Sequence, residues 1–212
     1  MIEKLKSWYS INRDTLDHRD RIFLNNPVVM QGMGLVPIVA VATTLQNACV
    51  MALAVLLMLT PTRIVAALLS RSTHFRFRAV AYSMTAAVTY TLASFLIIDV
   101  LHLPVQSIGL YLPLLVCEPL IIKRYARSGT EKVRSAVIKG LLTTAGFLLV
   151  LFPVAAVREL LGAGTLFGKQ IIPRGGALPF VGLIGGGFIL MGIVLALWRN
   201  LVRIFRDSAK DG

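Results

Sequence analysis

Gln31-Gly32-Met33-Gly34-Leu35-Val36-Pro37 interrupts an apolar stretch otherwise long enough to cross a bilayer. Gly32 and Gly34 loosen the backbone and Pro37 removes a hydrogen-bond donor, so a straight helix over 28–46 is not expected. A second interruption lies in Tyr111-Leu112-Pro113-Leu114-Leu115-Val116-Cys117-Glu118-Pro119, a short apolar run with two prolines and a carboxylate. A bilayer crossing needs about 20 mostly apolar residues, fewer where a helix is broken inside protein. Six segments meet that requirement: 28–46, 48–70, 78–101, 108–123, 136–157 and 178–198.

Composition agrees. The 212 residues are 56% hydrophobic and 15% charged, against roughly 45–50% and about 25% in soluble domains. A soluble globule and a disordered chain are both excluded. The formal charge of +12 suggests nucleic acid only until its location is considered, because the basic residues flank long uncharged runs. Cys49 and Cys117 both lie in apolar stretches, too few for a disulfide framework or a four-thiolate site. No signal peptide opens the chain, and residues 1–26 form a polar, amphipathic N-terminal segment with Trp8 and Tyr9 as interfacial anchors. Residues 27–198 form one helical membrane domain, and 199–212 a basic tail.

Lys and Arg orient the spans. Eighteen lie in the N-terminal segment, the loops near 71–78 and 123–139, and the tail, whereas the opposite side has only Arg158, Lys169 and Arg174. The basic side is cytoplasmic, so both termini are expected there, with anionic lipid as a secondary contact. The location implied is a bacterial or archaeal inner membrane.

The broken spans are the first and the fourth, each the first of a group of three. Three is odd, so a duplicated half enters from the other face and the two halves form an inverted repeat. Paired Gly/Pro-broken segments at corresponding positions point to a site at the midplane. The expected fold is an all-α integral membrane protein with two inverted three-helix repeats and half-helices at spans 1 and 4.

The run Asn25-Asn26-Pro27-Val28-Val29-Met30-Gln31-Gly32-Met33-Gly34-Leu35-Val36-Pro37 resembles the opening of the E-type subunit of Rnf complexes and the D-type subunit of Nqr. Val157-Arg158-Glu159-Leu160-Leu161-Gly162-Ala163-Gly164-Thr165-Leu166-Phe167-Gly168 resembles the same branch. The resemblance implies the six-helix inverted repeat, a paralogous membrane subunit as partner, and flavin-bearing subunits beside them. It also implies electron flow coupled to Na⁺ or H⁺ movement. In that family each subunit of the central pair gives two cysteines to a binuclear iron–sulfur cluster.

The sequence departs from the family at those cysteines. One belongs just before the proline of the first broken helix, where Val36 stands, and the other six residues after Pro113, where Pro119 stands. Neither side chain binds iron. Cys117 is two positions away, about 200° around a helix, and Cys49 is thirteen residues beyond Val36. A binuclear cluster needs four thiolate or imidazole ligands, so this chain is expected to bind no cofactor alone.

Other residues admit two readings each. Glu118 is either an ion-coupling group at the repeat centre or the partner of Lys123 or Arg124 near the end of a short helix. Arg63 either contacts an anionic group or snorkels to the interface. Arg158 and Glu159 form either an ion pair that steers a subunit contact or a helix-end pair of little energetic weight. Cys117 is a redox thiol, a substitute ligand or a packed core residue. His18, His74 and His102 are scattered, and Gly185-Gly186-Gly187 with Gly192 permits close helix packing. No hydrolase, kinase or zinc motif is present. The function expected is a membrane component of an ion-translocating electron-transport complex, not catalytic alone. The rival is a small-solute transporter or substrate-binding membrane component on the same scaffold.

Overall fold

The computed structural model describes residues 21–69, 74–102, 108–109, 111–118, 120, 133–173 and 176–208. The first span is broken where the glycines stand. A short helix α1 (Pro27–Gln31) ends at Gly32, and a second, α2 (Leu35–Val41), begins after Gly34. Both glycines take left-handed backbone, φ +67° and +76°, which a residue with a Cβ adopts only at a cost of about 1–2 kcal/mol. Five and seven residues at about 1.5 Å each leave each piece far short of the ~30 Å hydrocarbon core.

Helix α3 (Leu45–Leu69) follows, then α4 (Arg78–Phe95), continued by a π-helical turn, Leu96–Val100. Within the expected fourth span, Pro113–Cys117 is a 3₁₀ turn and Glu118 is extended, with ψ 131°. Helix α5 (Val133–Gly162) is the longest, at 30 residues, and α6 (Ile184–Ser208) closes the described chain. Among the described residues, four helices are long and apolar enough to cross a membrane: Leu45–Leu69, Val80–Val100, Val133–Gly162 and Ile184–Ile204. They coincide with the unbroken spans expected from sequence. The pattern is that of a mostly helical membrane protein.

Several boundaries differ from expectation. Helix α5 runs to Gly162 rather than stopping near 157, which places Arg158 and Glu159 inside it. Helix α6 continues past 198 to Ser208 without a break at the expected domain boundary. A hairpin, β1 (Thr165–Leu166) with β2 (Lys169–Gln170), departs from the all-α expectation. Its turn residues Phe167 and Gly168 both have positive φ, the backbone of a tight two-residue turn whose twist matches paired strands. Trp8, Tyr9 and His18 fall outside the described residues, as do Lys123, Arg124 and Pro119.

The core lies between α3 and α5, where Met51, Met58, Leu59, Phe147, Val150, Leu151 and Val154 are all but inaccessible. Between membrane helices, where lipid is as apolar as the core, this packing contributes through close van der Waals contact rather than transfer from water. A hydroxyl pair, Thr62 with Thr89 at 2.6 Å, joins α3 to α4 inside this packing. Pro61 and Pro153 sit within α3 and α5, as membrane helices tolerate.

Candidate functional site

Breaking a helix at membrane depth frees N–H and C=O groups that water cannot reach, so protein groups must satisfy them. The first break is satisfied at each end. At the start, Asn26 is fully buried and its carbonyl oxygen accepts from Val28 and Val29, capping α1, with Pro27 in its first turn. Asn and Pro at those positions are a favoured helix start. The Asn26 amide nitrogen donates to the Ile22 and Gly146 carbonyls, both at 2.8 Å, which ties α1 to the middle of α5. At the end of α1, Gly32 N–H returns to the Val28 carbonyl, Met33 N–H to that of Pro27, and Arg199 of α6 donates to Val29 at 3.0 Å.

The junction between α2 and α3 is held by neighbours in α5. Arg158 is completely buried and uses its guanidinium on five backbone carbonyls: Val39 at 2.5 Å, Ala42 at 3.2 Å, Val181 and Gly182 at 3.1 Å, and Leu183 at 3.2 Å. A guanidinium has five N–H donors, so every one is used. Gly187 makes room, since a Cβ there would stand 2.9 Å from the Arg158 Cζ. Glu159, 1% exposed, accepts from Leu45 N–H at 2.7 Å, Gly168 N–H at 2.9 Å and the Thr165 hydroxyl at 3.2 Å. A positive group thus sits at the carbonyl end of α2 and a negative one at the amide end of α3, each matching its helix dipole. Thr44 adds a side-chain cap to Asn47 N–H.

The expected ion pair between Arg158 and Glu159 is therefore corrected. Adjacent helix positions do not face each other, and the two side chains serve different segments. Arg63 does not snorkel outward either: it is 3% exposed, with its Cδ 3.5 Å from the position a Cβ on Gly140 would occupy.

The two broken segments meet at Gly34. A Cβ on Gly34 would stand 2.9 Å from the Phe147 ring and 3.7 Å from Leu120. Gly32, Gly34 and Pro37 lie on the first segment, Pro113 opens the 3₁₀ turn of the second, and Glu118 is half-buried at its end. Of the two family cluster positions, Val36 is 52% exposed and offers only hydrocarbon, while Pro119 lies outside the described residues. Cys49 and Cys117 are exposed rather than packed in the core, the first on α3 and the second on the 3₁₀ turn. Among the described residues no three His, Cys, Asp or Glu side chains gather as metal ligands.

A segment broken at two glycines, whose second piece α2 is joined to α3 under Arg158 and Glu159, is the arrangement around which the two resembling stretches fold. Residues 17–195 match the family described as "Rnf-Nqr subunit, membrane protein". The chain belongs to the Rnf-Nqr family. Three Rnf-Nqr relatives are each named as the E-type subunit of an ion-translocating oxidoreductase complex. That of Shewanella oneidensis is 33% identical over 205 residues, covering 90% of this chain and 88% of its own length. That of Shewanella sp. ANA-3 is 35% identical over 196 residues, covering 85% and 84%. That of Cellvibrio japonicus is 31% identical over 196 residues, covering 85% and 82%. The similarity spans the broken first segment and the Arg158–Glu159 region alike, as expected from an Rnf-Nqr membrane protein.

Asn26, Gly146, Phe147 and Arg199 do not stand out from sequence as site residues. Asn26 before Pro27 is a legible helix-start signal. The other three act through contacts more than a hundred residues away along the chain, which a single sequence does not disclose.

Proposed function

We propose that this chain is the E-type membrane subunit of an Rnf-class ion-translocating oxidoreductase complex. It crosses the cytoplasmic membrane six times as two inverted three-span halves, with both termini cytoplasmic. A paralogous six-helix subunit and flavin-bearing subunits are its partners, and it catalyses nothing alone. The observation that supports this most is the similarity, over most of the chain, to proteins named as E-type subunits, joined to a first span broken at Gly32 and Gly34. The approach of Gly34 to Leu120, two residues beyond Glu118, supports the further reading that the two interruptions form one midplane junction. With Val36 and Pro119 at the family's ligand positions, this chain supplies no thiolate there. Glu118 is the coupling group, because a carboxylate inside a crossing acts through a partner, a proton or a hydrated path.

The test is to isolate a tagged chain from its native membrane under mild detergent. Co-purification of the paralogue and of flavin-bearing subunits, with Glu118→Gln abolishing electron-driven ion uptake in proteoliposomes, is the expected result. A chain that purifies alone and stable with a bound organic solute overturns it in favour of transport.

A further inference from the structure

We propose that Arg158 and Glu159 are positioning residues that hold α2 in place at the junction, so that Gly34 stays packed against Leu120, two residues from Glu118. This rests on Glu118 being the coupling group.

Helix α2 has only seven residues and would not hold a position by itself, since isolated helices shorter than about 12–15 residues are marginal. Its C-terminal carbonyls at Val39 and Ala42 bond to Arg158, and the chain turns over Ala42-Thr43-Thr44 into Leu45, whose N–H bonds to Glu159. Both anchors project from the same turn of α5, a 30-residue helix. The same two side chains also bind the loop before α6 at Val181, Gly182 and Leu183, and the hairpin at Thr165 and Gly168. Four segments therefore converge on one dipeptide. Rotation of α2 about its far end would move Gly34, where the backbone is confined by the Phe147 ring and Leu120. A lysine at 158 keeps the charge but replaces a planar five-donor fork with a single ammonium, which cannot reach two segments at once.

The experiment uses the assembled complex. Hydrogen–deuterium exchange is followed by mass spectrometry for Arg158→Lys, Glu159→Gln and Glu118→Gln, alongside ion uptake per electron transferred in proteoliposomes. In Arg158→Lys, amides over 33–45 are expected to exchange faster while those of α4 do not change. Coupling is expected to fall about 2- to 30-fold, the span over which substitutions away from a ligand alter coupling. Glu118→Gln is expected to lose coupling with exchange over 33–45 unchanged. Unchanged exchange over 33–45 in Arg158→Lys, or exchange raised equally in every helix, overturns the inference. So does a local rise with coupling intact while Glu118→Gln is uncoupled. If Glu118→Gln couples normally, the role given to Glu118 fails, whereas the exchange data still decide whether the dipeptide holds α2. Should Arg158→Lys not assemble, Glu159→Gln supplies both readouts; failure of both to assemble overturns positioning in favour of folding.

Discussion

Glu159 accepts the Leu45 amide at 2.7 Å across 114 residues of sequence, so the first turn of α3 is fixed by the far end of α5. Its neighbour Arg158 fixes the last turn of α2. The turn from α2 into α3 is thus held by two charges that never pair with each other.

Replacing Arg158 by Ala removes the donor from five backbone carbonyls, of which those of Val39 and Ala42 are buried. The expected loss is about 2–6 kcal/mol, at about 1–3 for each of the two buried carbonyls, Val39 and Ala42, left unpaired. Arg199→Ala removes a single bond from an exposed side chain to Val29 and should cost under about 1 kcal/mol, near the net value of one hydrogen bond. Thermal denaturation of the two variants in one detergent checks the ranking, and equal losses contradict it.

Gly34→Ala should destabilise more than Gly32→Ala. Both sites have positive φ, but a Cβ on Gly32 meets only Leu35 at 3.8 Å, whereas on Gly34 it meets the Phe147 ring at 2.9 Å. Overpacking adds about 1–3 kcal/mol to the backbone strain. Phe147→Leu introduced with Gly34→Ala is expected to restore part of the loss, read as a rise in melting temperature over Gly34→Ala alone.

Asn26→Asp separates capping from tethering. Aspartate is as good an N-cap as asparagine, so a purely capping Asn26 would tolerate the change. Here the amide nitrogen also donates to Gly146 and Ile22, and a carboxylate would face those carbonyls, buried and repelled. Asn26→Asp is therefore expected to be at least as damaging as Asn26→Ala, by about 1–3 kcal/mol. A neutral result in a protease-resistance assay would refute the tether.

The Thr62–Thr89 pair should show measurable coupling. Hydroxyl bonds between membrane helices average about 0.6 kcal/mol, with a maximum near 1.7. A double-mutant cycle with valine at both positions, measured by denaturant titration in micelles, is expected to fall in the upper half of that range because the 2.6 Å contact is short and buried. Additive single effects would argue against it.

What the sequence disclosed was mostly what is local. Gly32, Gly34 and Pro37 announced the first interruption because their backbone chemistry acts within a turn, and uncharged runs announced the four unbroken spans. The similarity around Arg158 and Glu159 was visible as well, but not its meaning. Adjacent opposite charges at a helix end suggest an exposed pair, and only the arrival of α2, α3, the hairpin and the 179–182 turn around them explains why both are buried. Arg63 misled for the same reason. Its distance from the end of span 2 implied an outward reach, whereas the packing of α5 at Gly140 encloses it.

The crossing helices are unevenly covered by the rest of the chain: half of the apolar window is buried in α3 and α5, against 22% around α4 and 17% in α6. Val80, Met84, Val88, Leu92 and Phe95 line the outward side of α4. A saturation screen would accordingly divide the protein into two classes of position. Along α3 and α5, intolerance follows side-chain volume whatever the host. Along the outward stripes of α4 and α6, tolerance shifts with acyl-chain length and with which neighbouring subunits are expressed.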